Sequence, residues 1–251
     1  MPQRTLLGDP SFITNLNTFQ QEMINATTAA STRSKISDYH TLNTSAYDPQ
    51  GFITLTDHGT SHVTVADADG MVVSMTSTVN TLFGSQVIVP STGVIMNNEM
   101  NDFSIPGTVN AFGYKASPDN YIRPGKRPLS SISPTIVEHL SNGTFYFATG
   151  AAGGSRIITS VIQSLWHVLD QNMTAHEAVA APRFHDQLTP NVLEMELSYN
   201  NETVAYMKSR GHNVTRVATA ATDVNVVRRL ADGSFEAAAE TRQAAAEGLV
   251  A

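Results

Sequence analysis

The stretch from Asp57 to Asn80, DHGTSHVTVADADGMVVSMTSTVN, restricts the fold more than any other part of the chain. His62-Val63-Thr64-Val65 and Met71-Val72-Val73-Ser74-Met75 read as strands, and the Ala-Asp-Ala-Asp-Gly run between them supplies turn chemistry ending at Gly70. That pattern predicts an antiparallel hairpin. A lone hairpin is marginal in water, so it must pack on further strands or helices.

The rest of the chain supplies both. Strands are predicted over 134–139 and 144–149 with a turn at Asn142-Gly143. A last hairpin pairs Asp223–Arg229 with Ser234–Ala238 around Asp232-Gly233. Residues 155–169 predict the strongest helix, with Ile157, Ile158, Val161, Ile162, Leu165, Val168 and Leu169 on one apolar face. Thr174 and Glu177 form a capping box for a second helix ending near Ala181, before Pro182. A third helix runs from about Glu202 to Arg210, with Gly211 as its stop. A helical spacing also covers 11–35, through Phe12, Leu16, Phe19 and Met23. Residues 36–58 have few apolar anchors and read as an extended, mobile tail, where backbone cleavage is tolerated. The connections around 84–93 and 104–128 are rich in Gly, Pro and Ser; the second has the length of a functional loop. Antiparallel hairpins beside paired helices predict an α+β layered sandwich.

Composition excludes several functions. Lys+Arg 15 against Asp+Glu 22 gives a net charge of −7, which argues against nucleic acid as a partner. The absence of cysteine removes disulfides, thiolate chemistry and Cys-based zinc sites. No apolar stretch approaches the ~18 residues of a membrane span, and the start of the chain lacks the apolar core of a signal peptide. Sequons at Asn25, Asn43, Asn142, Asn172, Asn201 and Asn213 fit either chance in an Asn-, Ser- and Thr-rich chain or a glycosylated secretory-pathway protein.

Five stretches could carry chemistry. Gly59-Thr60 reads first as an ordinary strand entrance. A threonine hydroxyl becomes a nucleophile when a base takes its proton, and a residue's own α-amine, titrating near ~7.7–8.0, is such a base once the residue begins a chain. Thr76, Thr78 and Asn80 share one strand face that can return beside Thr60, or are plain strand residues. Glu99 and Asp102 either clamp an ammonium group or form a solvated acidic loop. Ser130 and Ser131, after Lys126 and Arg127, suit a carboxylate or make a polar turn. Gly153-Gly154, at the entrance of the strongest helix, offers backbone amides for an oxyanion hole, or a tight packing turn. His58 and His62 have the spacing of helical zinc ligands, but Gly59 and the strand pattern deny them a helix. No G-x-S-x-G elbow or phosphate-binding glycine motif occurs.

Taken in order, GTSHVTVADADG, TSTVNTLFGS, TGVIMNNEMNDFS, RPGKRPLSSISPT and GAAGGSRI resemble the γ-glutamyltranspeptidases, members of the N-terminal-nucleophile hydrolases. The ending VNVVRRLADGSFEAAAETRQAAAEG is similar to that family's C-terminus. The resemblance covers nearly the whole chain. It implies the αββα sandwich of those hydrolases, lacking most of the large subunit. It implies autocleavage between Gly59 and Thr60, with 1–59 as the tail of the large subunit and 60–251 as the small one. Thr60 matches the nucleophile, and Thr78 the second threonine that bonds it. Asn80, Glu99 and Asp102 match the residues holding the glutamyl α-amino and carboxylate ends. Ser130 and Ser131 match the serines on the α-carboxylate, and Gly153 and Gly154 the oxyanion-hole glycines. The family's carboxylate-gripping arginine would lie in a large-subunit region before this chain. The implied donors are glutathione and other γ-glutamyl compounds, and the implied acceptors are water, amino acids or dipeptides. The implied protein partner is the large subunit of the same precursor. No metal or organic cofactor is implied. The expected location is the secretory pathway, cell surface, exterior or vacuole. Two rival expectations are a cephalosporin or glutaryl acylase of the same fold and a catalytically silent fragment.

Overall fold

The computed structural model describes residues 6–47, 52–53, 59–108, 115–219, 221–243 and 246–250. The N-terminal helices are α1 (Leu16–Met23), α2 (Ala26–Lys35) and α3 (Thr44–Tyr47), followed by a short strand β1 (Phe52–Ile53). The hairpin is β2 (Thr60–Ala66) and β3 (Val72–Thr78). A single 3₁₀ turn spans Glu99–Asp102, β4 (Lys115–Ala116) runs parallel to β1, and a second 3₁₀ turn spans Pro118–Asn120. Then come β5 (Thr135–Glu138), β6 (Phe145–Ala152), α4 (Arg156–Leu169), α5 (Ala175–Ala180), β7 (Phe184–His185) and β8 (Leu193–Glu196). The chain continues through α6 (Asn201–Ser209), β9 (Val214–Val217), β10 (Asp223–Arg229) and β11 (Phe235–Ala238).

The central antiparallel sheet has the order β11-β10-β6-β5. Its strand β6 is buried along almost its whole length, so each of its two faces must be covered. Phe147, Ala151, Val224 and Val226 point to α4 and α5, where Ile157, Val161, Val168 and Val179 complete the core. Ala148 and Val227 point to the β2–β3 hairpin, which lies across the opposite face. The result is helix, sheet and second strand layer. The hairpin is polar inward and apolar outward: Thr60, His62, Thr64, Ser74, Thr76 and Thr78 face the sheet, while Val63, Val65, Val73 and Met75 are exposed.

The α5 capping box forms in both directions, between Thr174 and Glu177. The strand pairs around Asn142-Gly143 and Asp232-Gly233 also form as the sequence predicts. Four expectations need correction. The helical pattern over 11–35 is two helices, because Asn25 takes extended backbone and its Oδ1 caps Thr27 N at 2.8 Å. The tail 36–58 contains α3 and β1; residues 48–51 and 54–58 lie outside the described set, as does His58. On α4 the buried stripe is Ile157, Ser160, Val161, Gln163, Ser164, His167 and Val168, whereas Ile162 and Leu169 are exposed. Ser160, Gln163 and Ser164 can occupy that stripe because they are hydrogen-bonded: Gln163 Nε2 donates to Phe184 O and Gln163 Oε1 accepts from Phe184 N, at 2.8 and 3.0 Å. Finally, β7, β8 and β9 form a three-stranded sheet with its own small core of Leu193, Met195 and Val204, not anticipated from sequence. Among the described residues no helix is long and apolar enough to cross a membrane.

Candidate active site

The hairpin register places Thr60 opposite Thr78, His62 opposite Thr76 and Thr64 opposite Ser74. Antiparallel pairing therefore turns residues eighteen positions apart into neighbours. Thr60 Oγ1 donates to Thr78 Oγ1 at 3.0 Å, and Thr78 Oγ1 donates to Gly59 O at 3.2 Å. The same carbonyl accepts from Val79 N at 3.0 Å. Thr78 Oγ1 also accepts from Asn80 N at 2.9 Å. One hydroxyl thus touches both the candidate nucleophile and the bond that precedes it. Gly59 has no room for a side chain: a Cβ there would lie 2.2 Å from Thr81 O and 2.7 Å from Asn80 O.

Behind Thr60 the inward face stays polar through His62. Its Nδ1 meets Thr76 Oγ1 at 2.8 Å and its Nε2 meets Thr64 Oγ1 at 2.9 Å. The ring packs on Gly150, where a Cβ would come within 2.1 Å of it. Burial pushes its pKa down to about 4, so the ring is neutral at ordinary pH. His62 braces the hairpin on the sheet, and among the described residues no cluster suits a metal ion.

Gly153 and Gly154 form the turn from β6 into α4, with φ +132° and +61°. A Cβ at Gly153 would meet Thr222 Cγ2 at 2.6 Å and Ala221 O at 2.7 Å. Gly153 shares with Thr60 a cavity of about 360 Å³ whose wall includes Ala152, Thr219, Asp223, Arg242 and Gln243. Burial and nearby Glu240 push the Asp223 carboxyl above its usual range.

Asn80 is fully buried with φ +74°. Its Nδ2 donates to Asn98 O at 3.0 Å, and Asn98 Oδ1 accepts from Thr81 N and Thr81 Oγ1, both at 3.2 Å. This ties the Thr60 centre to the Glu99–Asp102 turn, where both carboxylates are half-buried on one 3₁₀ turn instead of an open loop. Ser130 and Ser131 lie in the segment leading to β5; Ser130 is exposed, and its Oγ accepts from Ile132 N at 3.1 Å. Thr60, Thr78, Gly59 and Asn80 therefore meet directly, with Gly153 across the shared cavity. Glu99, Asp102, Ser130 and Ser131 do not line that cavity: the first two are on the 3₁₀ turn, and the serines are in the segment leading to β5. Sequence reading missed Asn98, Asn120, Asp223, Arg242 and Gln243. Nothing in their local spacing distinguishes them, since each acquires its position from a distant partner.

A sequence model of the gamma-glutamyltranspeptidase family matches residues 1–250. A glutathione hydrolase proenzyme of Arthroderma benhamiae is 53% identical over 248 residues, which is 99% of this chain and 42% of that protein. The chain thus spans about two fifths of the length of that curated relative. A gamma-glutamyltranspeptidase mutant structure from Helicobacter pylori superposes with a TM-score of 0.67 at 39% identity, covering 73% of this chain and all of that one (100%). A cephalosporin acylase from Bacillus halodurans superposes at 0.77 over 100% of this chain and 42% of its own, at 21% identity, a likeness of fold alone. The layers are those of the N-terminal-nucleophile hydrolases, and the extent of the match together with the identity to relatives shows that this chain belongs to the gamma-glutamyltranspeptidase family.

Proposed function

We propose that this chain carries the nucleophile-bearing part of an enzyme that transfers or hydrolyses γ-glutamyl groups, glutathione among its donors. Residues 1–59 are the tail of a large subunit and 60–251 the small subunit, separated by self-cleavage at Gly59-Thr60. The observation that carries the reading is the chain of hydroxyls Thr60 Oγ1 to Thr78 Oγ1 to Gly59 O. When Thr60 Oγ attacks the Gly59 carbonyl carbon, its proton passes toward Thr78, whose own proton meets the developing oxyanion. The C–N bond then breaks as the Thr60 nitrogen takes a proton, which leaves Gly59 esterified to Thr60 Oγ. That break frees the α-amine of Thr60; water then hydrolyses the ester, which returns the Thr60 hydroxyl, leaves Gly59 with a carboxylate and separates the two chains.

In turnover the freed amine takes the proton of Thr60 Oγ as it attacks the γ-carbonyl carbon of the donor. Amides of the Gly153-Gly154 turn stabilise the tetrahedral oxyanion, a contact worth about 3–4 kcal/mol per donor. The amine leaving group, cysteinylglycine for glutathione, departs with a proton, and water or an acceptor amine takes the glutamyl group. Asn80, Glu99 and Asp102 hold the glutamyl α-amino and carboxylate ends, with Ser130 and Ser131 on the α-carboxylate. The open apolar face of Val63, Val65, Val73 and Met75 supports a large subunit as the covering layer. The six sequons support a secretory-pathway or cell-surface location.

Intact mass and N-terminal sequencing of the full-length precursor test this reading. A new chain starting at Thr60, absent in Thr60→Ala, is the expected result. An uncut protein that still hydrolyses γ-glutamyl-p-nitroanilide overturns it.

A further inference from the structure

Asp102 and Ser130 are far apart in sequence, and the connection between them passes through residues 109–114, outside the described set. A direct side-chain tie between their flanks would fix their separation in space. The described residues contain one. Asn120 closes the second 3₁₀ turn and is 3% exposed. Its Nδ2 donates to Asp102 O at 2.6 Å, with a longer contact of 3.4 Å to Ser104 Oγ. Its Oδ1 accepts from Leu129 N, the residue before Ser130, at 2.9 Å. Its backbone carbonyl accepts from Ser104 N at 3.0 Å. Lys126 holds the backbone on either side, donating from Nζ to Asp119 O at 2.7 Å and Tyr121 O at 3.0 Å. Few side chains could do this. The task needs one donor and one acceptor on a short planar group; an ionised Asp has no donor and Leu has neither.

We infer that Asn120 is a positioning residue that sets the distance between the two halves of the donor-recognition surface, the Glu99–Asp102 turn and the Ser130-Ser131 step. This rests on the functional reading above. An α-amino acid presents its ammonium and carboxylate from one carbon, so the groups that meet them must hold a fixed separation. A displacement of about 1 Å in such a pair costs up to ~100-fold. Asn120 thereby controls selectivity for donors that carry an α-amine, without touching the donor.

The test uses the full-length precursor with γ-glutamyl-p-nitroanilide and glutaryl-p-nitroanilide, which lacks the α-amine. Asn120→Ala and Asn120→Asp are expected to mature at Thr60 and to raise KM for the γ-glutamyl anilide at least tenfold, with kcat changed less than about threefold. Activity on the glutaryl anilide is expected to move little, so selectivity falls. In Asn120→Asp the loss should shrink, relative to the parent at the same pH, as the pH is lowered from 8 to 5. A protonated Asp regains an O–H donor for Asp102 O. Unchanged KM and selectivity, or equal losses on both anilides, overturn the inference. So does failure of both variants to mature, which makes Asn120 a folding residue. Asp102→Ala is run beside them: if it alone lowers selectivity, the inference fails and the functional reading stands, whereas unchanged selectivity in Asp102→Ala overturns the reading itself.

Discussion

Thr78 serves three partners with a single hydroxyl, and its neighbours fix that geometry. Removing the oxygen while keeping the shape, as in Thr78→Val, deletes the bonds to Thr60 Oγ1, Gly59 O and Asn80 N together. Each such bond contributes about 1 kcal/mol net, more where charge develops. Thr78→Val is therefore expected to slow self-cleavage about 10- to 100-fold, followed as the rate at which the intact mass disappears; an unchanged rate would remove Thr78 from the mechanism. Gly153 is constrained differently. Its φ of +132° and the 2.6 Å approach to Thr222 Cγ2 leave no place for a methyl group. Gly153→Ala is expected to cost roughly 1–3 kcal/mol of stability by urea unfolding and to lower kcat through the distorted turn. Thr60 and the glycines were visible in the sequence as motifs. Their contacts were not, because the Gly153 wall comes from Ala221 and Thr222, much later in the chain.

The hairpin is an element with an inverted pattern. Strand alternation was legible, but alternation alone does not say which face is buried. A hydrophobic rule would place Val63, Val65, Val73 and Met75 inside, yet the Thr and His face is the one against the sheet. It can be inside because it is satisfied: the His62 ring bonds both Thr64 and Thr76, Ser74 Oγ donates to Thr149 O at 3.1 Å, and Asn225 Nδ2 donates to His62 O at 2.7 Å. This packing makes the element acid-sensitive. Burial holds His62 at a pKa of about 4, against 6.5 when unperturbed. Between those values the unfolded chain takes up a proton that the folded one refuses, so stability falls as pH drops through the window. The contribution is complete above pH 6.5 and amounts to about 2 kcal/mol after allowing for partial exposure. Urea midpoints measured from pH 7 to 4 should fall less steeply in His62→Gln than in the parent; parallel profiles would contradict this.

Across the whole molecule, a buried ionic network locks the chain's late segments onto the layers. Arg183 Nη1 bonds Glu240 Oε2 at 2.6 Å, Arg242 bonds both Glu240 and Glu196, and Glu240 Oε2 accepts from Val224 N at 3.1 Å. Arg242 also donates to Val179 O and Ala181 O, so α5, β8, β10 and the stretch after β11 share one cluster. Arg183 Nη1 reaches Thr222 as well, the residue that walls Gly153. Glu240→Ala leaves Arg183 buried without its counter-charge, and a loss of about 3–5 kcal/mol is expected in chemical unfolding. The paired replacement Arg183→Met with Glu240→Leu should recover most of that loss. A single-variant cost below about 1 kcal/mol would show that the network is not structural.

The sequence by itself determined the local elements and the order of the motifs. Hairpin alternation, the Thr174–Glu177 box, the turns at Gly143 and Gly233 and the small-residue step into α4 all depend on neighbours within a few residues. It also carried the family likeness, because ordered motifs survive without coordinates. Only the tertiary structure decided which face of the hairpin is inward, that α4 buries Gln163 and His167, and that β7–β9 form a sheet. It alone supplied the ties through Asn80, Asn98 and Asn120 that bring the motifs together. The physical reason is that a short strand gains its partner, and a polar side chain its satisfaction, from residues tens of positions away.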